Sequence, residues 1–170
     1  MKPVQDKEYG IPMFEADKED LLHGYCNYFA ECAKQYYEKQ GFKNLRLEAL
    51  RDDSKDENWF SHEYLVVNNR YFVDARGVFD TKNQDPMDFY KEFLEYDHID
   101  PNNIKIDCGY GIRFDIEEFS EEQAAVQLSY ELLEQNPDQF RILPGFDKLQ
   151  DMKTKIEEHE AKENKDFELN

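Results

Sequence analysis

The chain has 170 residues, with 39 acidic against 21 basic side chains and a formal net charge of −18. A surface so negative repels nucleic acid and anionic membrane, and no stretch approaches the roughly 20 apolar residues of a membrane helix. Aromatics are 15% of the residues, which excludes a wholly disordered chain and allows a real core.

The elements read as one α+β domain over 1–150, followed by an acidic tail, helical or disordered, over 151–170. Residues 1–16 look like an irregular arm broken by Pro3, Gly10 and Pro12. A helix is predicted from Tyr25 to Gln40. Its apolar face is Cys26, Phe29, Ala30, Ala33 and Tyr37, and Gly41 ends it. "NLRLEAL" (44–50) alternates as a half-buried strand and "RDDSKDEN" reads as a polar loop. "SHEYLVV" (61–67) and "RYFVDA" (70–75) form a hairpin about Asn68-Asn69, because Asn tolerates positive φ. Asp85-Pro86 caps a helix carrying Phe89, Phe93 and Leu94. "NIKIDCG" (103–109) is a further strand, with Ile104, Ile106 and Cys108 on one side. The capping box "SEEQ" (120–123) starts a helix that stops near Asn136-Pro137. A weak apolar stripe of Leu149, Met152 and Ile156 then fades into charge. The expected architecture is an antiparallel sheet of three or four strands with packed helices.

The odd feature is "HGYCNYFAECA" (23–33), where a cysteine follows a glycine at a helix start. Free N–H groups and partial positive charge there favour a thiolate. Partners are available downstream in His62 and Asp74. With a three-residue hairpin loop, 67–69, these two lie opposite each other on one face of the sheet. With a two-residue Asn-Asn loop they lie on opposite faces. In the first register Asp74 orients His62, His62 takes the proton of Cys26 or pairs with it as an ion pair, and Cys26 attacks an acyl carbon. Amides at the helix start would hold the oxyanion. His23, Trp59 and Arg76 are candidate substrate-binding residues. Arg76 could instead pair with Asp74.

"HGYCNYFAECA", "SHEYLVV" and "YFVDARGVFD" together resemble the transglutaminase-like branch of the papain-like cysteine enzymes, over about residues 23–80. That branch includes arylamine N-acetyltransferases and bacterial peptidases, amidases and deamidases. The resemblance implies thioester chemistry with Cys26 as nucleophile, His62 as base and Asp74 as orienter. The upstream Gln or Trp that often helps the oxyanion in such enzymes has no clear counterpart here.

Each residue also has a plainer reading. Cys26 sits on an apolar helix face and could be core, His62 could bond a carbonyl, and Asp74 could belong to a turn. His23, Cys26 and His62 could together bind zinc, although no metal-ligand spacing supports it, and neither metal nor cofactor is expected. Cys32 and Cys108 read as structural. His98 and His159 read as surface.

The three cysteines form no disulfide framework, so a reducing, cytoplasmic setting is expected. Expected partners are a protein or peptide substrate, with a basic one suiting the acidic surface, and neither nucleic acid nor membrane. The oligomeric state is open. A hydrolase or acyltransferase therefore competes with a non-enzymatic acidic binding protein (an inhibitor, an immunity protein or a nucleic-acid mimic) that occupies a basic groove.

Overall fold

The computed structural model describes residues 4–5, 12–14, 16–112, 121–143, 156–157 and 159–162. A short antiparallel pair comes first, β1 (Val4–Gln5) with β2 (Pro12–Phe14), its register shifted by an irregularity at Val4/Gln5. Helix α1 (Cys26–Lys39) follows, then strands β3 (Leu45–Asp52), β4 (His62–Val67), β5 (Tyr71–Asp74) and β6 (Gly77–Asp80). Helix α2 (Pro86–Tyr96), a 3₁₀ turn (Pro101–Asn103), strand β7 (Ile104–Cys108) and helix α3 (Glu121–Gln135) complete the order. The last five strands form one antiparallel sheet in the order β6-β5-β4-β3-β7.

Local sequence explains most of these boundaries. Helix α1 buries Cys26, Phe29, Ala30, Cys32, Ala33 and Tyr37, the predicted face with Cys32 added. It stops at Gly41, whose φ of +96° only glycine adopts freely, while Phe42 N–H returns to the Tyr37 carbonyl. Asp85 caps α2 by accepting a 3.0 Å bond from Met87 N–H, with Pro86 in the first turn. Asn68 and Asn69 both hold left-handed φ, 56° and 54°, at the tip of the β4–β5 hairpin.

β4 is the middle strand, and all six of its residues are buried. Alternation sends His62, Tyr64 and Val66 to one face, where Tyr64 meets Phe72 and Phe89 at 5.0 and 4.9 Å. Helix α2 covers that face through Phe89, Tyr90 and Phe93. Helix α1 packs on β3, β4 and β5, and α3 packs on α1 in turn. The α1 layer is tied to the C-terminal part by Tyr37, whose hydroxyl donates 2.5 Å to the Phe140 carbonyl, and by Tyr130, whose hydroxyl reaches Gln35 at 2.7 Å. Burying side chains such as Leu65 and Phe93 contributes about 1.5–3 kcal/mol each.

The expected three or four strands become five, because "GVFD", starting at Gly77, forms a strand that its turn-like context concealed. The predicted irregular arm contains the β1–β2 pair. β3 runs two residues into the predicted polar loop, and Arg51 and Asp52 there are buried. β7 is an edge strand, so Ile106 is 42% exposed and Cys108 is exposed rather than structural. Ser120 of the capping box, Leu149 and Met152 of the last stripe, and most of the tail lie outside the described residues. No helix among the described residues is long and apolar enough to cross a membrane.

Candidate functional site

The hairpin register decides whether His62 and Asp74 can meet. Val67 pairs with Tyr71, so the loop is residues 68–70, and Leu65 pairs with Val73. One step further places Asp74 opposite Tyr64, two residues from His62 along β4 and on the same face. The two side chains are diagonal rather than directly opposed, and His62 Nε2 lies 2.9 Å from Asp74 Oδ2. Both residues are buried, at 0% and 2% exposure.

Asp74 has a second cation. Arg76 Nε and Nη2 donate to Oδ2 at 3.0 and 2.7 Å, and the Arg76 backbone N–H donates to Oδ1 at 2.9 Å. Arg76 also donates 3.1 Å to the Phe89 carbonyl and pairs with Glu92 at 3.3 Å. Its guanidinium lies 4.6 and 4.7 Å from the rings of Phe89 and Phe93. Of the two uses the sequence left open, pairing with Asp74 is the one this geometry adopts.

Burial pushes the Asp74 carboxyl up, but the hydrogen bonds and charge of His62 and Arg76 together outweigh it and hold the group down at about 2. Burial pushes His62 down, chiefly because Phe93 stacks on its ring at 3.7 Å and Phe89 closes the side. Asp74 opposes that shift and Arg76 adds to it. The Leu22 carbonyl also favours the protonated ring, though outside hydrogen-bond geometry, and Nδ1 has no hydrogen-bond partner. An ionised Asp74 accepts from Nε2–H, so the neutral imidazole carries its lone pair on Nδ1.

Cys26 opens α1, and its N-cap residue Tyr25 offers no side-chain cap. Sγ accepts a 3.3 Å hydrogen bond from the backbone N–H of Glu63, the residue after His62. That N–H is available because the pairing of β4 with β5 reaches back only to Leu65, two residues on. The amides of Glu63, Asn27 and Cys26 all favour a thiolate, as the helix-start argument expects. Burial at 3% exposure outweighs them, and with the charge of Glu63 alongside pushes the thiol up to about 12. In place of the expected thiolate–imidazolium pair, the thiol and the ring each rest neutral. Sγ bonds Glu63 rather than the imidazole.

The remaining candidates stand apart from this group. His23 stacks on Tyr96 at 3.9 Å, with Nε2 3.7 Å from Glu19 and 3.9 Å from Glu92. Among the described residues, Glu19, His23 and Glu92 are the set that could hold a metal; the triplet His23, Cys26 and His62 is not assembled as one. Trp59 lies in the β3–β4 loop under Lys55 Nζ at 3.8 Å, and the His62 ring meets Tyr64, Phe89 and Phe93 instead. Cys32 is buried, and His98 is exposed with a φ of +53°.

Sequence reasoning missed Glu63. It is buried, and its Oε1 accepts from the N–H groups of Tyr110 and Gly111. A Cβ at Gly109 would collide with that carboxylate, so the glycine there permits the close approach. The signal was present as an acid inside an otherwise apolar strand.

No protein-family model matches the chain, and no curated protein or solved structure is significantly similar to it.

Proposed function

We propose that the chain is a cysteine-nucleophile acyl-transfer enzyme, a hydrolase or acyltransferase of transglutaminase-like or papain-like arrangement, held closed in the state described. The observation that carries the reading is the His62–Asp74 pair at 2.9 Å, with Nδ1 unpartnered and Cys26 Sγ bonded to the very next backbone amide. The thiol proton passes to Nδ1, sulfur attacks the acyl carbon, and the leaving amine, alcohol or thiol takes the proton back as a thioester forms. Water or another nucleophile then resolves the thioester by the same route in reverse. Because both groups rest neutral, His62 works as a general base on a thiol, and substrate entry must part the start of α1 from the start of β4. A protein or peptide substrate of basic character suits the charge of −18.

4-Nitrophenyl acetate tests this as a small acyl donor, with acetylated cysteines mapped by mass spectrometry in Cys108→Ala, which lacks the exposed thiol. Slow acetylation of Cys26 is expected, falling about 100-fold or more in His62→Gln. Absence of acetylation in the native protein, or equal rates with and without His62, overturns the reading.

The second reading is an acidic binding protein acting on a basic partner. It is favoured by Cys26 being 3% exposed with its thiol pushed up to about 12. Such a protein would show no His62-dependent acylation.

A further inference from the structure

Asp74 Oδ2 is shared. His62 Nε2 reaches it at 2.9 Å from one strand, and Arg76 reaches it with Nη2 at 2.7 Å and Nε at 3.0 Å from the turn that follows β5. That turn is tight, because Asp74 pairs with Gly77 across it and Gly77 holds a φ of +126°. Arg76 is therefore delivered to Asp74 by backbone geometry as well as by charge, and its own N–H closes the turn on Oδ1. Phe89 and Phe93 lie against the guanidinium as well as the His62 ring, so one aromatic surface orients both.

We propose that Arg76 is a positioning residue that acts on His62 through Asp74, holding the imidazole as its neutral Nε2–H tautomer with Nδ1 as the basic atom. The assignment of the tautomer stands on the contacts around Asp74. Its value to acyl transfer rests on the reading above. In a pair without Arg76, Asp74 would have His62 as its sole cation, and the ring would be drawn toward imidazolium. With Arg76 present the carboxylate is already compensated by a group that stays charged at every working pH. The surroundings of His62 supply no other route to that result. From β4 there is Tyr64, from the segment before α1 the Leu22 carbonyl, which favours the protonated ring, and from α2 Glu92, which faces Arg76 rather than the ring. His23, before α1, lies beyond Phe93 and addresses Glu19 and Glu92.

Removing the guanidinium acts on His62 in one direction by each path. It deletes a nearby positive charge, frees Oδ2 for the imidazole, and admits water beside a buried ring. All three raise the pH at which His62 protonates, by about one unit or more.

The test is a pH titration of ¹⁵N-histidine protein by long-range ¹H–¹⁵N NMR, with His62 assigned from His62→Gln. The wild-type ring is expected to show Nε2 protonated, Nδ1 carrying the lone pair, and a midpoint below the ordinary histidine value. Arg76→Gln should move the midpoint up by a unit or more, and Arg76→Lys, which keeps the charge but loses the fork, should recover part of the shift. Glu92→Gln, which leaves the Arg76–Asp74 contact in place, should leave the midpoint where it is. An Arg76→Gln protein with wild-type circular dichroism and an unmoved His62 midpoint overturns the proposal. So does a wild-type ring with its proton on Nδ1. If Arg76→Gln does not fold, an Arg76→Lys midpoint identical to wild type decides against the fork, and a midpoint raised by a fraction of a unit decides for it. The titration and the acetylation assay separate the two claims: a shifted midpoint with no acetylated Cys26 keeps the positioning role and removes the enzyme.

Discussion

Alkylation of Cys26 in the native protein measures how closed the site is. At pH 7 an ordinary exposed thiol with a pKa of about 8.5 is roughly 3% thiolate. A thiol held at about 12 has a thiolate fraction on the order of 10⁻⁵, a deficit of about 3,000-fold before access is considered. Access lowers the rate again, since only 3% of Cys26 is exposed and the reagent must wait for α1 to part from β4. The assay is iodoacetamide labelling followed by peptide mapping, with exposed Cys108 as the internal reference. Cys108 should label first across pH 6–9, and Cys26 should trail by at least three orders of magnitude. Urea below the unfolding transition should speed Cys26 and leave Cys108 unchanged, because opening limits one and not the other. Labelling of Cys26 at pH 6 as fast as Cys108 would refute the argument that desolvation dominates at this helix start. It would mean that the three amides around Sγ, and a charged His62, stabilise a thiolate after all.

Two further outcomes follow from the same network. Asp74→Asn removes the carboxylate that His62 and Arg76 share, and breaking such a buried pair costs about 3 kcal/mol, near the lower end of the usual range because the Arg76 side chain is 28% exposed and keeps Glu92. Thermal melts should show Tm lower by about 6–12 °C, and an unchanged Tm would contradict the burial argument. The pH dependence has a definite sign. Below about 6.5 the unfolded chain protonates a histidine that the folded chain keeps neutral, so wild type loses stability there relative to His62→Gln. The stability from Asp74, whose folded pKa is depressed, persists above about 4 and disappears as pH falls from there toward about 2. Urea melts of wild type and both variants at pH 7, 5.5 and 3.5 check it, with overlapping curves as the contrary result.

The sequence by itself determined the elements whose causes are local. The apolar spacing of α1 and its stop at Gly41, the Asn-Asn hairpin, and the Asp85-Pro86 cap each depend on residues within a turn or two of one another. It also identified Cys26, His62 and Asp74 as a candidate group, but left the register open. Only the tertiary structure decided that the loop is 68–70, and so that His62 and Asp74 share a face. Strand β6 escaped notice because four residues after a tight turn form a strand only when β5 is there to pair with them. The charge states required the fold most of all. A helix start favours a thiolate through groups a few residues away, whereas desolvation is imposed by β4, 36 residues further along the chain. At Cys26 the second effect is larger, because an ionised sulfur loses its water on every side while a few amides restore part of that solvation. Arg76 likewise looked free to face a substrate until Phe89, Glu92 and Phe93 came from α2 to hold it against Asp74.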